Sequence, residues 1–548
     1  MFYRFRRFPF PFLLVASILL VACSGGGGSG GPTTPTGPGT VPTLPPATPG
    51  LVSGTSGFSA NCAGASNQGT LYTNAEVEPH VAINPINPNN LIGTWQQDRW
   101  SGGASQGIAV GTSFDAGATW TISTLPVSRC GGGTATNGGD FERASDPWVT
   151  FSTGGVAYQL SLGVSGTSFQ AGSSSAILLS RSTDSGRTWE SPVTLIRDGA
   201  QFFNDKNAIT ADSTDSRYVY AVWDRLTSDN RGPTVMARTA NSGVTWEPAR
   251  TIYDPGVGNQ TIGNVVATLS DGTVVNFFTQ LNTVGNNLIG SFAVIRSLDK
   301  GLTWSAPITI SNFLGVGTRD PETGTAIRDS GFLGQISVGA QGQLYVVWQD
   351  ARFSNGVRDA IAFSRSQDGG LTWSAPVRVN ADATVQGLIP TVNARADGTI
   401  GVSYFDMRSN TIDPATLLTD YWLATSRDGV NWTDRRIAAT FDLSVAPIAR
   451  GYFLGDYMGL VSAGSNFYPF YTRTNSGNIA NRNDVFMTPI NVPTSNAQAS
   501  VFVRADEPSV AGISAEFAQR VNDNIARQME QRVPGFAKMR GTRPPPSL

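Results

Sequence analysis

Charge is scarce in this chain. Only 14% of its 548 residues are Asp, Glu, Lys or Arg, nearly balanced at 40 acidic and 38 basic. A nucleic-acid partner is not expected, because that footprint needs a basic excess or patch. Histidine occurs once, at His80, so a multi-histidine metal centre is excluded by count. The three cysteines, Cys23, Cys62 and Cys130, do not suit a structural zinc site. No cofactor motif and no EF-hand loop is present, so no cofactor is expected, with calcium left open at a cluster of aspartates. The apolar run Phe12–Val21 is too short to span a bilayer comfortably.

That run has another meaning. Arg4, Arg6 and Arg7 precede it, and Leu20-Val21-Ala22-Cys23 follows its start, which is the order of an export signal. The Cys after small residues resembles the lipobox of bacterial lipoproteins. The resemblance implies a signal peptide over 1–23, with lipidation of Cys23. An ordinary secretory signal with an incidental Cys is the alternative. Ser24 stands where an Asp would resemble an inner-membrane retention signal, so a lipid-anchored place on the outer membrane or cell surface is expected. Residues 24–60 are largely Gly, Pro, Ser and Thr and read as a tether. Cys62 and Cys130 both lie in Gly-rich, loop-like sequence. In an oxidising compartment they can pair; two separate buried thiols are the other reading.

Sixty-two glycines with frequent Val, Thr, Trp and Phe suggest many short strands joined by turns. One turn is spelled repeatedly: "SFDAGATW" at 113–120, "STDSGRTW" at 182–189, "TANSGVTW" at 239–246, "SLDKGLTW" at 297–304, "SQDGGLTW" at 366–373 and "SRDGVNW" at 426–432. A near-regular period of this kind signals repeat architecture. Each copy is accompanied by two apolar segments separated by a polar turn, such as "EPHVAINP" before "NNLIGTWQQDRW". A further such pair, "GDYMGLVSAG" and "NFYPFYTRT", follows the last copy. Each unit reads as four strands, A to D, with the motif between C and D.

Four-stranded units repeated radially make a β-propeller. The motifs resemble the Asp boxes of the sialidase, or bacterial neuraminidase repeat, superfamily. The resemblance covers roughly 76–492 and implies an all-β propeller, assigned here to 61–493. Seven A–B pairs point to seven blades, with six, the number in sialidases, as the alternative. Leu71–Asn74 is expected to complete the last blade. In the motif, Asp bonds turn amides, Gly takes positive φ and Trp buries a large surface. These are turn-building roles, so the motif is not where chemistry is expected. Residues 494–548 depart from the repeat. Phe517, Val521, Ile525, Met529 and Val533 recur every four residues, which predicts an amphipathic helix over about 514–533 capped by Ser514.

The opposite face collects charge. Starts of A strands supply Glu78, Asp146, Asp205 and Asp456; ends of B strands supply Asp98 with Arg99, then Arg225, Arg352, Arg408 and Arg473. Arginines converging on one axis would grip a carboxylate or sulfate. The same Asp and Arg residues would equally staple neighbouring blades. The resemblance implies an arginine set for a sugar carboxylate, Tyr457 as nucleophile with Glu78 as its partner, and Asp98 or Asp146 as acid/base. The Phe/Tyr-Arg-Ile-Pro motif that opens sialidase catalytic domains is absent; the first A strand reads Glu78-Pro79-His80-Val81. The expected function is therefore a surface-anchored, sialidase-like glycoside hydrolase for acidic saccharides, or a non-catalytic propeller that binds a glycan or protein.

Overall fold

The computed structural model describes residues 48–493 and 513–532, apart from 60, 61, 63–67, 230 and 330. The expected signal peptide, Cys23 and the tether up to residue 47 lie outside the described residues. The fold is all-β, built of small antiparallel sheets with one α-helix, Ala515–Arg532.

Among the described residues the strands pair in consecutive groups. The first is Val77–Asn84, Asn87–Trp100, Ser105–Ser113 and Thr121–Thr124; the second is Arg143–Phe151, Ala157–Ser165, Ser174–Ser182 and Val193–Gly199. One residue pair, Ser105 with Ala144, joins these two into a single larger sheet. Further groups begin at Phe202–Ala211, Gln260–Thr268, Gln335–Val338, Gly387–Ala394 and Gly459–Ala463. The first strands touch in a closed circuit, each meeting the next, with Gly459–Ala463 returning to Val77–Asn84.

The last group takes its outer strand from the beginning of the chain. Gly50–Leu51 pairs with Asn483–Met487, and Val52 and Ser53 are buried beside it. This corrects two expectations. Leu71–Tyr72 pairs instead with Arg99 and Trp100, because the long strand Asn87–Trp100 extends past its own hairpin and needs a partner there. The tether expected to reach residue 60 has already entered the fold by residue 50.

The repeated motif makes the same turn in its first five copies; the sixth, one residue shorter, closes with Gly429 N on Ser426 Oγ at 2.9 Å. In the first copy Ser113 Oγ donates to Asp115 Oδ1 (2.8 Å), and the same oxygen accepts from Thr119 N (2.9 Å). Gly117 N donates to Ser113 Oγ at 2.8 Å, and Trp120 Nε1 to the Gly117 carbonyl at 3.1 Å, an indole bond that recurs only at Trp304 among the described copies. Asn241 Oδ1 makes the equivalent bond to Thr245 N (3.0 Å) in the copy that lacks Asp. Gly117 sits at φ 86°, and a Cβ there would meet Met487 Cε of the last group at 1.8 Å. The turn therefore also seals one sheet against its neighbour.

Cys62 and Cys130 form a disulfide across 68 residues of sequence. Closing a loop of that length restricts the unfolded chain, so reduction should lower stability by about 2–4 kcal/mol. Denaturant titration with and without dithiothreitol measures it, and an unchanged midpoint would count against the bond as a fold stabiliser. No helix among the described residues is long and apolar enough to cross a membrane.

Candidate functional site

A backbone irregularity recurs on the first strands. The pairing register shifts between Val77 and His80, Ser145 and Trp148, Asp205 and Ala208, Ile262 and Val265, and Leu388 and Thr391. Each shift is a bulge whose first extra residue has positive φ: Glu78 54°, Asp146 50°, Lys206 49°, Gly263 69° and Ile389 50°. A bulge bends the strand and re-aims a side chain. Pro79, Pro147 and Pro390 follow three of these positions, where an unpaired ladder site needs no N–H. Glycine is the unstrained occupant of such a position; other residues cost about 1 kcal/mol or more. The chain accepts that strain at Glu78, Asp146 and Lys206, in three adjacent groups, and each residue there is charged.

Their side chains converge. Lys206 Nζ lies 2.6 Å from Asp456 Oδ2, 3.1 Å from Asp146 Oδ1 and 3.5 Å from Glu78 Oε1, with its side chain only 6% exposed. Asp456 is also gripped by Arg328 through two bonds, 3.0 and 2.6 Å, and lies 3.4 Å from Arg532. Gln96 donates to both Glu78 and Ser145, and Arg99 Nη1 donates to Gln96 Oε1 at 2.6 Å.

Burial and charge drive these carboxyls apart. Glu78 is pushed up to about 8, chiefly by burial, which Lys206 only partly opposes. Burial would also raise Asp146, but Lys206 and a hydrogen bond with Glu78 outweigh it and hold Asp146 below the ordinary range. Asp456 stays well below that range because Arg328 and Lys206 overcome its burial. Asp205 is raised to about 6 by burial, with Lys206 opposing.

Beside this cluster lies a pocket of about 100 Å³ whose lining includes Asp146, Asp205, Lys206, Arg99, Arg143 and Arg450. Arg328 and Arg532 also reach it. Arg143 donates to the carbonyls of Gly103 (2.7 Å) and Gly166 (2.6 Å), and Arg450 to those of Glu530 (2.7 Å) and Gln531 (2.6 Å). Arg99, Arg143 and Arg450 thus donate to neutral acceptors. Burial pushes both Arg99 and Arg143 down to about 10. Glu78, Asp456 and Asp146 act on Arg99 from beyond ion-pair distance, and none of the three guanidiniums forms an ion pair among the described residues, which leaves the pocket receptive to an anion.

Of the arginines expected at the axis, Arg99 lines this pocket and the others do not. Arg225 makes a two-pronged pair with Asp198 (2.8 and 2.7 Å), Arg352 pairs with Asp350 (2.7 Å), and Arg408 with Asp406 (2.7 Å) and Asp434 (3.2 Å). Arg473 lies over the Phe486 ring at 4.2 Å. Each of these sits at a strand end, where acidic or aromatic groups of its own or the adjacent sheet are nearer than the axis. Asp98 is also elsewhere. It accepts from Ser56 Oγ (2.6 Å), Asn74 N (2.8 Å) and Gln106 Nε2 (2.8 Å), which ties the N-terminal segment down and leaves it away from the pocket.

Tyr457 is buried and donates to the Pro147 carbonyl at 2.9 Å, and burial raises its hydroxyl well above the ordinary phenol range. Its environment is the reverse of one that would generate a phenolate nucleophile. His80 stacks on Trp148 at 3.9 Å and accepts from Val149 N (3.3 Å); burial lowers it to about 3, so it is neutral. Where calcium was left open, Lys206 and Arg328 already neutralise the central carboxylates. No group of three or more metal-ligating residues suited to an ion occurs among the described residues.

Arg143, Arg328, Arg450 and Arg532 were not singled out in the sequence. Arg143 begins an A strand, three residues before the bulge residue Asp146, and was legible there. Arg328 and Arg450 stand in connections outside the repeat, and Arg532 ends the C-terminal helix. That helix starts where expected, with Ser514 Oγ accepting from Phe517 N at 3.1 Å. Phe517, Val521, Ile525 and Met529 bury its apolar face against the sheets, which places Arg532 at the axis.

No protein-family model matches the chain, and no curated protein matches it. Solved structures with some likeness include a protein of unknown function from Dyadobacter fermentans, 14% identical, covering 76% of this chain and 95% of that one, TM-score 0.43. Another is the Hadza microbial sialidase Hz136, at 19% identity, 60% and 63% coverage and TM-score 0.38. A third is the Penicillium chrysogenum α-L-arabinanase complexed with arabinobiose, at 13% identity, 81% and 98% coverage and TM-score 0.40. Likeness at these scores carries no inference about activity.

Proposed function

We propose that this chain is a sialidase-like, seven-bladed propeller that acts on an acidic saccharide at its axial pocket. The blade reading is supported by the closed circuit of first strands and by the Asp-box-like turns that seal neighbouring sheets. The observation that carries the function is the pairing of two carboxyls in one anion-receptive pocket. Asp205 is raised to about 6, while Asp146 is held ionised beside it. Carboxyls with environments that separate their pKa values are the usual acid and base of glycoside cleavage. In this reading Asp205 donates the proton to the leaving oxygen and Asp146 serves as the ionised partner. Arg99, Arg143 and Arg450 hold the acidic substituent. Tyr457 positions Trp148 and the bulge at Asp146 and has no nucleophilic role.

The test is turnover of aryl glycosides of uronic and nonulosonic acids, set against neutral glycosides, by the wild type and by Asp205→Asn. A second reading, binding without cleavage, is favoured by the hydrogen-bonded Tyr457 and by the fully paired Asp456. Saturable binding of acidic saccharides with no turnover would select it. Export and lipid anchoring at Cys23 belong to the same proposal. A Cys23→Ser chain should leave the membrane fraction, and unchanged retention there would sink the anchor.

A further inference from the structure

A larger cavity, of about 610 Å³, runs between the C-terminal helix and the connections flanking the fifth and sixth strand groups. Its charged lining is Arg319, Arg358, Arg520 and Arg527, against Asp320 and Asp523. This local excess of positive charge stands out in a chain whose formal net charge is −2.

Both acids are occupied within their own segments. Asp320 accepts from Glu322 N (2.9 Å) and Thr323 Oγ1 (2.6 Å), and Asp523 from Gln519 Nε2 (2.7 Å). The arginines, by contrast, mostly meet neutral acceptors. Arg319 donates to the Gly324 carbonyl (3.2 Å), Arg358 to that of Ala383 (3.3 Å), and Arg527 to Asn524 Oδ1 (2.6 Å) and the Val316 carbonyl (3.4 Å). Arg520 has a single long contact, 3.8 Å, to the exposed Glu516, and its Nε is buried without a hydrogen-bond partner among the described residues. Burial and the nearby Arg319 both lower Arg527. Asp329, Asp359 and Asp523 oppose that shift, yet four guanidiniums face two carboxylates in the lining and no ion pair forms between them among the described residues, an excess that favours an anionic ligand; the volume suits several sugar residues.

The helix links this groove to the axial pocket. Arg520, Asp523 and Arg527 share one helical face, and twelve residues on from Arg520 the same helix delivers Arg532 to the axis, about 18 Å away along the helix. We infer that the groove is a second anion-binding site that holds the acidic groups of an extended, carboxylated or sulfated saccharide chain. The site stands on its own geometry; only the choice of a saccharide as ligand rests on the function proposed above. An acidic peptide is the competing occupant.

The experiment uses the full chain and measures binding of an oligogalacturonate and of a sulfated oligosaccharide by calorimetry at two salt concentrations. Arg358→Gln and Arg520→Gln, singly and together, should each weaken binding roughly tenfold or more and reduce its salt dependence. Unchanged thermal midpoints would confirm that these variants fold. A monosaccharide uronate, which reaches only the axial pocket, should bind them as it binds wild type. Asp205→Asn should bind the oligomers normally, so loss of turnover and loss of groove binding are separable. Equal oligomer affinity in the folded double variant overturns the inference. So does an oligoglutamate peptide that binds more tightly than either saccharide in an arginine-dependent way.

Discussion

Replacing Lys206 with methionine should destabilise the fold by about 3–5 kcal/mol, the range for removing one partner of a buried ion pair. Lys206 is the common counter-ion of three carboxyls from three different strand groups, and its side chain is 6% exposed. Without it, Asp146 and Asp456 would remain buried with less compensation, and Arg328 reaches only Asp456. Chemical denaturation followed by circular dichroism gives the loss. The double variant Lys206→Met/Asp146→Asn separates the loss of charge pairing from any change in packing. Removing a stranded charge should restore part of the stability. A loss below about 1 kcal/mol, or no recovery in the double variant, would falsify the account of Lys206 as the keystone of the cluster.

The same cluster sets opposing pH trends. Asp456 has its folded pKa depressed, so its contribution is present above the unfolded value and is lost as the pH falls. Glu78 has its folded pKa raised from 4.5 to about 8. Its contribution is complete below 4.5 and is lost as the pH rises through about 8. Glu78→Gln should therefore flatten the decline in stability between those values.

Asp205→Asn should reduce turnover of acidic glycosides by about 10²–10⁴-fold, the usual worth of a positioned general acid. The substitution keeps size and hydrogen-bonding capacity while removing the transferable proton. Asp205 must be protonated to act, so wild-type kcat/KM should fall as pH rises through about 6. It should also fall at low pH, where Asp146 takes up a proton, at a value below the ordinary carboxylate range because Lys206 and Glu78 hold it there. The Asn variant should lose the alkaline limb. Substrate affinity should change little if, as proposed, Arg99, Arg143 and Arg450 hold the acidic substituent. Wild-type rates in the variant, or an alkaline limb that persists unchanged, would remove Asp205 from the mechanism.

The parts of this protein legible in its sequence are local. Six near-copies of one turn, each with alternating apolar segments, specify hairpins and their period, because residues within a few positions of one another determine a turn and a strand face. Ser514 and the four-residue apolar spacing place the helix for the same reason. Glu78, Asp146 and Asp456 were visible as polar starts of inner strands. Which charges actually meet was decided only in three dimensions. Lys206 and Asp456 touch across 250 residues of sequence, and Arg328 and Asp456 across 128. Arg328, Arg450 and Arg532 come from segments with no repeat pattern to mark them. Arg225, Arg352 and Arg408 carry the same strand-end signature as Arg99 yet turn to nearer acids, since an ion pair forms with whichever opposite charge folding brings closest. Periodicity therefore determined the scaffold; closure of the ring and docking of the helix decided the site.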